Sequence, residues 1–249
     1  MKKITIILHL FFVLIYSCAF AQMPTGEEVL RRIDENMVID QAISQSTMII
    51  HDRSGDRTIT SKSWIKGKNR GLVEYLSPAR EQGKKMLRIG DQIWTYTPEP
   101  TDRIISISGH LLRQPVMGSD LSYEDMTDND TLIEQYDAVV EGEDEVNGRR
   151  CYILRLAAKR EGVTYQSRKI WVDAERWLPL REERFAKSGK LLKTTEIVDV
   201  FQADARWYPK KMIFKDMLSR GQGTEYLIDS IDFGADVPDF MLTKAALRK

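Results

Sequence analysis

The rhythm of apolar and polar positions divides the 249-residue chain into unlike stretches. After Lys2 and Lys3, residues 4–16 are apolar apart from Thr5 and His9, and small residues then lead to Ala19-Phe20-Ala21. A basic start, an apolar run short of the ~20 residues that a membrane helix needs, and an A-x-A end predict a secretory signal peptide over 1–21. Next, Val29, Leu30, Ile33 and Met37 recur at helical spacing, with Arg31, Arg32, Asp34 and Glu35 on the other side. Thr25 and Glu28 form a capping box in front of them, so the pattern predicts an amphipathic helix over 26–38.

From about residue 44 the pattern shifts to short β-rich runs with turn signals about every ten residues. These runs extend from 44–51 to 103–108 and again from 136–141 to 223–233. Between them, 111–132 loses the alternation and carries Pro115, Gly118 and an acidic cluster. It predicts one or two short helices in a long connection, with Ser122 capping a turn that begins at Tyr123. Glu141–Glu145, running to Asn147-Gly148, reads as a charged hairpin loop, and 238–247 as a terminal helical turn. The expected fold is mostly β with a helical lid: an unclosed, curled antiparallel β-barrel of about eleven strands. No βαβ alternation, repeat or linker interrupts it, so 22–249 is read as one domain. A sheet of this size curls and has a concave face to cover. The N-terminal helix and the 111–132 insert are the available covers.

Composition narrows the partners. Apolar residues make up 42% of the chain, enough for a core. Without Lys2 and Lys3, 35 basic residues face 37 acidic ones, so no strong field draws nucleic acid or an anionic membrane. Ile15-Tyr16-Ser17-Cys18 resembles a lipobox. Soluble export to the periplasm by cleavage near Ala21/Gln22 is the preferred reading, and a lipoprotein anchored at Cys18 is the alternative. With Cys18 in the leader, Cys151 is the one remaining cysteine and reads as a small buried hydrophobe. His51 and His110 are far apart, and no nucleophile, zinc, phosphate-loop or dinucleotide motif is present. No catalytic residue, metal site or cofactor is therefore expected. Glu124, Asp125, Asp128 and Asp130 lack the glycine and spacing of a calcium loop, and a hydrolase built on Asp125 and Asp128 has spacing alone behind it. Trp64, Tyr75, Trp94, Tyr96, Trp171, Trp177 and Trp207 lie in or beside strands, as core or as cavity lining.

Specific motifs then carry a resemblance. Trp64-Ile65-Lys66, Leu76-Ser77-Pro78 and the run from Ile89 through Gly90-Asp91-Gln92 to Pro98 resemble the LolA-like proteins. Met117-Gly118-Ser119-Asp120-Leu121-Ser122-Tyr123-Glu124-Asp125 resembles the signature of their outer-membrane lipoprotein-sorting branch. Trp171-Val172-Asp173, Pro179 and Gly189-Lys190-Leu191 are similar to its second half. The resemblance implies an unclosed barrel of about eleven strands with helices as a lid. It also implies a non-catalytic periplasmic carrier that shields lipoprotein acyl chains or other lipids. Its partners would be an inner-membrane transporter complex and an outer-membrane acceptor. A lipid-responsive regulatory or interaction module of the cell envelope is the alternative. By motif position, Val73 and Tyr75 fall on cavity positions, Met86 on the next strand, and Trp64 before the lid-contacting basic residue. The family's Trp-Val-Lys-Arg-Pro pattern becomes Trp64 to Arg70 here, leaving Lys68 or Arg70 as gating candidates. Alternation and the place of the insert add Ile93, Ile105, Met117, Leu121 and Tyr123 at the rim and lid.

Overall fold

Alternation of buried and exposed residues turns almost every β-rich run into a member of one sheet. The structure, a computed structural model, describes residues 23–53, 55–126, 131–203 and 205–249. The expected leader, with Cys18, and the insert residues Asp128 and Asp130 lie outside these. Helix α1 spans Gly26–Met37. Strands β1 (Gln41–Asp52), β2 (Gly55–Lys66), β3 (Arg70–Ser77), β4 (Lys85–Ile89), β5 (Gln92–Thr97) and β6 (Arg103–Ile107) follow. The insert contributes single helical turns at Gly109–Arg113, Val116–Gly118 and Glu124–Met126, then the short helix α2 (Leu132–Gln135). The second half comprises β7 (Tyr136–Val146), β8 (Arg149–Ala158), β9 (Ser167–Asp173), β10 (Pro179–Phe185), β11 (Leu191–Ala203), β12 (Arg206–Asp216) and β13 (Gly223–Asp232). Thirteen strands replace the expected eleven or so, and short runs such as Lys85–Ile89 are full members.

The strand order is β6-β5-β4-β3-β2-β1-β13-β12-β11-β10-β9-β8-β7, antiparallel throughout. Two meanders are thus joined at their oldest and youngest strands, and β6 and β7 are left as the free edges. The connection from β6 to β7 must travel from one edge of the unclosed sheet to the other. That topology is the reason the insert crosses the inner face.

The charged segment Glu141–Glu145 is not a loop. It belongs to β7, and only Asn147 and Gly148 turn. An edge strand exposed to water tolerates such charges, and they discourage pairing with other chains. Glu141 takes a hydrogen bond from Arg155 of β8 at 2.9 Å, and the strand bulges between Val140 and Gly142.

Three packing layers hold the sheet. On the inner face, α1 buries Val29, Leu30 and Ile33 against Tyr152, Leu154, Ile170 and Val172 of β8 and β9. Each such side chain contributes about 1.5–3 kcal/mol. Thr25 caps the helix by accepting from the Glu28 amide at 3.1 Å, as the sequence predicts. Gly26 is required by contact: a Cβ there would lie 2.1 Å from the Ala138 carbonyl oxygen of β7. Asp34 accepts from the amides of Leu132 and Ile133, both at 3.2 Å, and so joins α1 to α2. On the outer face, the turns Asp239–Leu242 and Lys244–Arg248 lay Leu242 and Leu247 on Leu72, Leu87 and Tyr96. On the face of β8 opposite α1, Cys151 is fully buried beside Trp171 and Leu180, and burial pushes its thiol up to about 11.

Candidate functional site

The inner face of β1–β4 is built in cross-strand rungs. Met48 of β1 pairs with Ile59 of β2. Ser61 then pairs with Tyr75, Ser63 with Val73 and Val73 with Met86. The last rung is Ile65, Gly71 and Arg88. Because residues two apart share a face, the wall reads as one continuous strip. Tyr226 of β13 closes one side, and Val116, Leu121 and Met126 of the insert roof it. The space between wall and roof is about 290 Å³ and open at one side, at the small end of the ~300–1,000 Å³ typical of small-molecule sites. Burial raises the Tyr75 phenol well above its ordinary value, with Tyr123 and Tyr226 adding to the effect.

The roof is pinned rather than loosely laid. The Val116 amide donates to the Leu121 carbonyl at 2.7 Å, and Pro115 bridges to Ser122. Asp120 accepts from the Thr224 hydroxyl at 2.8 Å and from the Asp216 amide at 2.8 Å. Gly118 takes a φ of 75°, and a Cβ there would meet the Arg57 guanidinium. Arg57 in turn donates to the Met117 carbonyl at 3.2 Å. Asp125 is the second anchor. Its side chain is 3% exposed, and it pairs with Lys193 of β11 and with Arg184 of β10 at 3.2 Å. It also accepts from the Tyr165 hydroxyl at 2.5 Å and the Ser122 hydroxyl at 2.7 Å. Burial alone would raise the Asp125 carboxyl, but Arg184 and Lys193 outweigh it and hold it at about 2. Beneath lies a buried chain of charges, Arg168 to Glu182 at 3.0 Å and Glu182 to Arg184 at 2.9 Å. The Gly-Ser-Asp-x-Ser-Tyr-Glu-Asp signature is therefore a double staple across the sheet. Ser122 also caps the turn at Glu124–Met126, in agreement with the sequence reading.

The structure sorts the expected site residues into groups. Val73, Tyr75, Met86 and Leu121 face the cavity. Met117 packs beside it against the Met48, Ile50, Ile59 and Tyr75 cluster. Ile93 and Tyr123 belong to an adjoining cluster with Met86 and Ile107. Trp64 borders the cavity, yet it pairs with Leu72 in register and packs in the outer-face cluster under the C-terminal turns. Ile105 is 38% exposed on the edge strand β6, which has no neighbour on its far side to bury it. Arg70 reaches the rim but bonds Asp239 of the C-terminal turn at 2.9 Å, not the insert. The insert is held instead by Asp120 and Asp125. Met48, Ile59, Val116, Met126 and Tyr226 complete the cavity and were not singled out from sequence. The alternation of β1 and β2 contains Met48 and Ile59. Only the β1–β13 pairing brings Tyr226 in.

Of the strand aromatics, Tyr75 and Tyr226 line the cavity, whereas Trp94 and Tyr96 sit under the C-terminal turns and Trp171 and Trp207 lie in the cluster around Cys151. Among the described residues, no three His, Cys, Asp or Glu side chains are placed to hold a metal ion. His51 sits between Asp56 at 2.9 Å and Glu225 at 3.5 Å, and these carboxylates raise its pKa. Among the described residues, no helix is long and apolar enough to cross a membrane.

An unclosed antiparallel sheet with a roofed inner cavity is the LolA-like fold, and this chain has it. A family model described as "Uncharacterized protein" matches residues 67–249, and the chain belongs to that family. Solved structures agree. A DUF1329 family protein from Desulfovibrio piger is 26% identical, with a TM-score of 0.81 over 90% of this chain and 98% of that one. A putative outer membrane lipoprotein-sorting protein domain from Vibrio parahaemolyticus is 23% identical, with a TM-score of 0.79 over 90% and 98%. A LolA superfamily protein from Nitrosomonas europaea is 21% identical, with a TM-score of 0.73 over 90% and 100%. No curated protein matches the chain.

Proposed function

We propose that this protein is a non-catalytic periplasmic carrier. It shields the acyl chains of lipoproteins or other lipidated cargo on their way to the outer membrane. The observation that carries this reading is the cavity between the Met48-to-Arg88 wall and the insert. Each CH₂ group exposed to water costs ~0.8 kcal/mol, so one long chain costs on the order of 10 kcal/mol outside a membrane. A wall of Met48, Ile59, Val73, Tyr75 and Met86 relieves that cost. The cavity as it stands is small for a whole lipid, so cargo enters as the insert lifts, and the side-chain staples at Asp120 and Asp125 set the cost of lifting. Release without ATP requires only that the closed, empty form be favourable enough to compete with the filled one. An inner-membrane transporter complex as donor and an outer-membrane lipid surface or receptor as acceptor fit this cycle. The leader read over residues 1–21 supports export. Cys151, with its buried, high-pKa thiol, is a poor nucleophile, which favours binding over catalysis.

The test is purification from native periplasm, followed by mass spectrometry of the extracted ligand. Acyl-bearing molecules in stoichiometric amount support the carrier. Repeated recovery of an empty protein that also ignores added acyl probes overturns it.

A further inference from the structure

The turn between β12 and β13 carries an exposed apolar pair. The Ser219 amide donates to the Asp216 carbonyl at 3.1 Å, which closes the turn over residues 216–219. The Asp216 carboxylate accepts from the Leu218 amide at 2.8 Å. The two central positions are Met217, 45% exposed, and Leu218, 57% exposed. Such positions ordinarily hold Gly, Pro, Asn, Asp or Ser, and two adjacent large apolar side chains here keep much of their surface in water. The turn itself is firmly held. The Asp216 amide donates to the Asp120 carboxylate at 2.8 Å, the Met217 amide to the Leu192 carbonyl at 2.8 Å, and Lys215 to the Gly221 carbonyl. A tip fixed in this way pays little further ordering when it binds.

Cations surround the tip. Register sets three turns side by side at one end of the sheet, because His51 of β1 lies opposite Gly223 of β13, and Lys193 of β11 opposite Asp216 of β12. The turn after β1 brings Arg53, the turn before β11 brings Lys190, and the tip's own turn supplies Arg220. Arg113 of the insert lines a cleft together with Leu218, Lys193 and Asp216. Arg53, Arg113, Lys190 and Arg220 are all exposed, and no carboxylate among the described residues pairs with them. The acids of these turns are engaged locally. Asp52 accepts from the Arg53 amide at 2.6 Å, Asp216 from the Leu218 amide, and Glu161 pairs with Lys187 at 3.1 Å. The overall charge balance of the chain hides this local excess.

We infer that this tip docks on an anionic lipid surface. Met217 and Leu218 enter the head-group region, while Arg53, Arg113, Lys190 and Arg220 face the phosphates. Apolar insertion and charge attraction are each weak alone and add at a membrane surface. The cations stand on separate segments around the tip. A laterally mobile layer of phosphates meets all of them, whereas an acidic groove on a protein would have to match each position. The docking turn also holds the roof, since Asp120 accepts from the Asp216 amide and from the Ser219 hydroxyl at 3.3 Å. The protein therefore touches the membrane where its insert is anchored. This goes beyond the acyl-binding reading by naming the face that meets the membrane, and it stands or falls separately.

The experiment is vesicle flotation of the purified protein, in one form whose N-terminus mass spectrometry has fixed, so that only the substitution differs between samples. The vesicles are phosphatidylcholine alone, or equal parts of phosphatidylcholine and phosphatidylglycerol. The anionic vesicles are expected to bind at least about tenfold more tightly than the neutral ones, and added salt should shrink the difference. Met217→Ser with Leu218→Ser should weaken binding to anionic vesicles at least about tenfold. Arg53→Gln with Arg220→Gln should weaken it about tenfold and leave binding to neutral vesicles unchanged. Leu218→Trp should add an emission that brominated acyl chains quench. These are exposed turn positions, so circular dichroism melts should match those of the unaltered protein, and a palmitate probe should bind each variant as before. Equal binding to neutral and anionic vesicles, or binding that survives both double changes, overturns the inference and leaves the carrier reading standing. So does an unaltered protein that binds palmitate but ignores anionic vesicles, which returns the tip to an acidic protein partner. Vesicle binding with these sensitivities but no palmitate binding supports the inference and overturns the carrier reading.

Discussion

Asp120 and Thr224 bond each other twice across a separation of 104 residues. The Asp120 amide donates to the Thr224 hydroxyl oxygen at 3.0 Å, and that hydroxyl donates to the Asp120 carboxylate at 2.8 Å. One side chain of β13 thereby satisfies both the backbone and the carboxylate of a buried insert residue. Thr224→Val keeps the shape and removes both bonds. It should cost about 2–3 kcal/mol, because buried polar groups lose their partners. Denaturant unfolding measures the loss, and hydrogen exchange should rise selectively over residues 115–122.

Asp125 makes the second staple dependent on acid. Its folded pKa of about 2 lies below the ordinary 3.8, so the unfolded chain binds protons more readily. Its contribution, on the order of 2 kcal/mol, is complete above about pH 5 and is lost as the pH falls toward 2. Glu182, held at about 2 by Arg184 and Arg168 against its burial, adds in the same direction. Thermal melts at steps from pH 7 to pH 2.5 should show the midpoint falling below about pH 4. Asp125→Asn should lower it at neutral pH, leave Lys193 without its carboxylate and Arg184 with Glu182 alone, and flatten the acid slope.

Tyr75 tests the cavity directly. Tyr75→Glu sets a carboxylate into the wall beside Met48 and Ile59. Affinity for a palmitate probe should fall at least about tenfold, since burying an unpaired charge costs several kcal/mol. Tyr75→Phe should retain binding. Circular dichroism melts establish that both variants unfold cooperatively, and unchanged affinity in Tyr75→Glu would remove this residue from the site.

Gly26 tests how α1 docks. Its Cα lies so close to the Ala138 carbonyl that alanine has no room, and the obstacle is backbone rather than a movable side chain. Gly26→Ala should therefore destabilise by about 2 kcal/mol or more, although alanine is the better helix former. Chemical denaturation measures the change. A neutral or stabilising result would show that α1 does not pack on β7 in this way.

Local patterns made much of this legible in the sequence. The Thr25 cap, the alternation of β1 and β2 and the Ser122 turn each depend on neighbours a few residues away, and each forms, although of the expected capping box only the bond from the Glu28 amide to Thr25 is seen. The charged run Glu141–Glu145 misled, because charge suggests a loop, whereas an edge strand is equally open to water. The site was less legible. Val73, Tyr75 and Met86 share one face by register, so the strip they form follows from alternation once the pairing is known. Alternation cannot say which face is roofed, and Trp64 therefore falls on the outer side. Tyr226 and Thr224 join the site only because β13 lies against β1, a relationship that no local pattern encodes. The roles of Asp120 and Asp125 likewise depend on partners about 60 to 100 residues away.

The junction at β1 and β13 also has a consequence in time. Ser46 and Tyr226, hydrogen-bonded at 2.8 Å, are 180 residues apart. Each meander can zip from hairpins as it emerges, but the seam between them waits for nearly the whole polypeptide to be made. Until then β1 and its neighbours present a bare, sticky border, and pairing over such distances is intrinsically slow. A product cut short before β13 would keep that border for good, so incomplete molecules of this protein should be prone to self-association and dependent on chaperones.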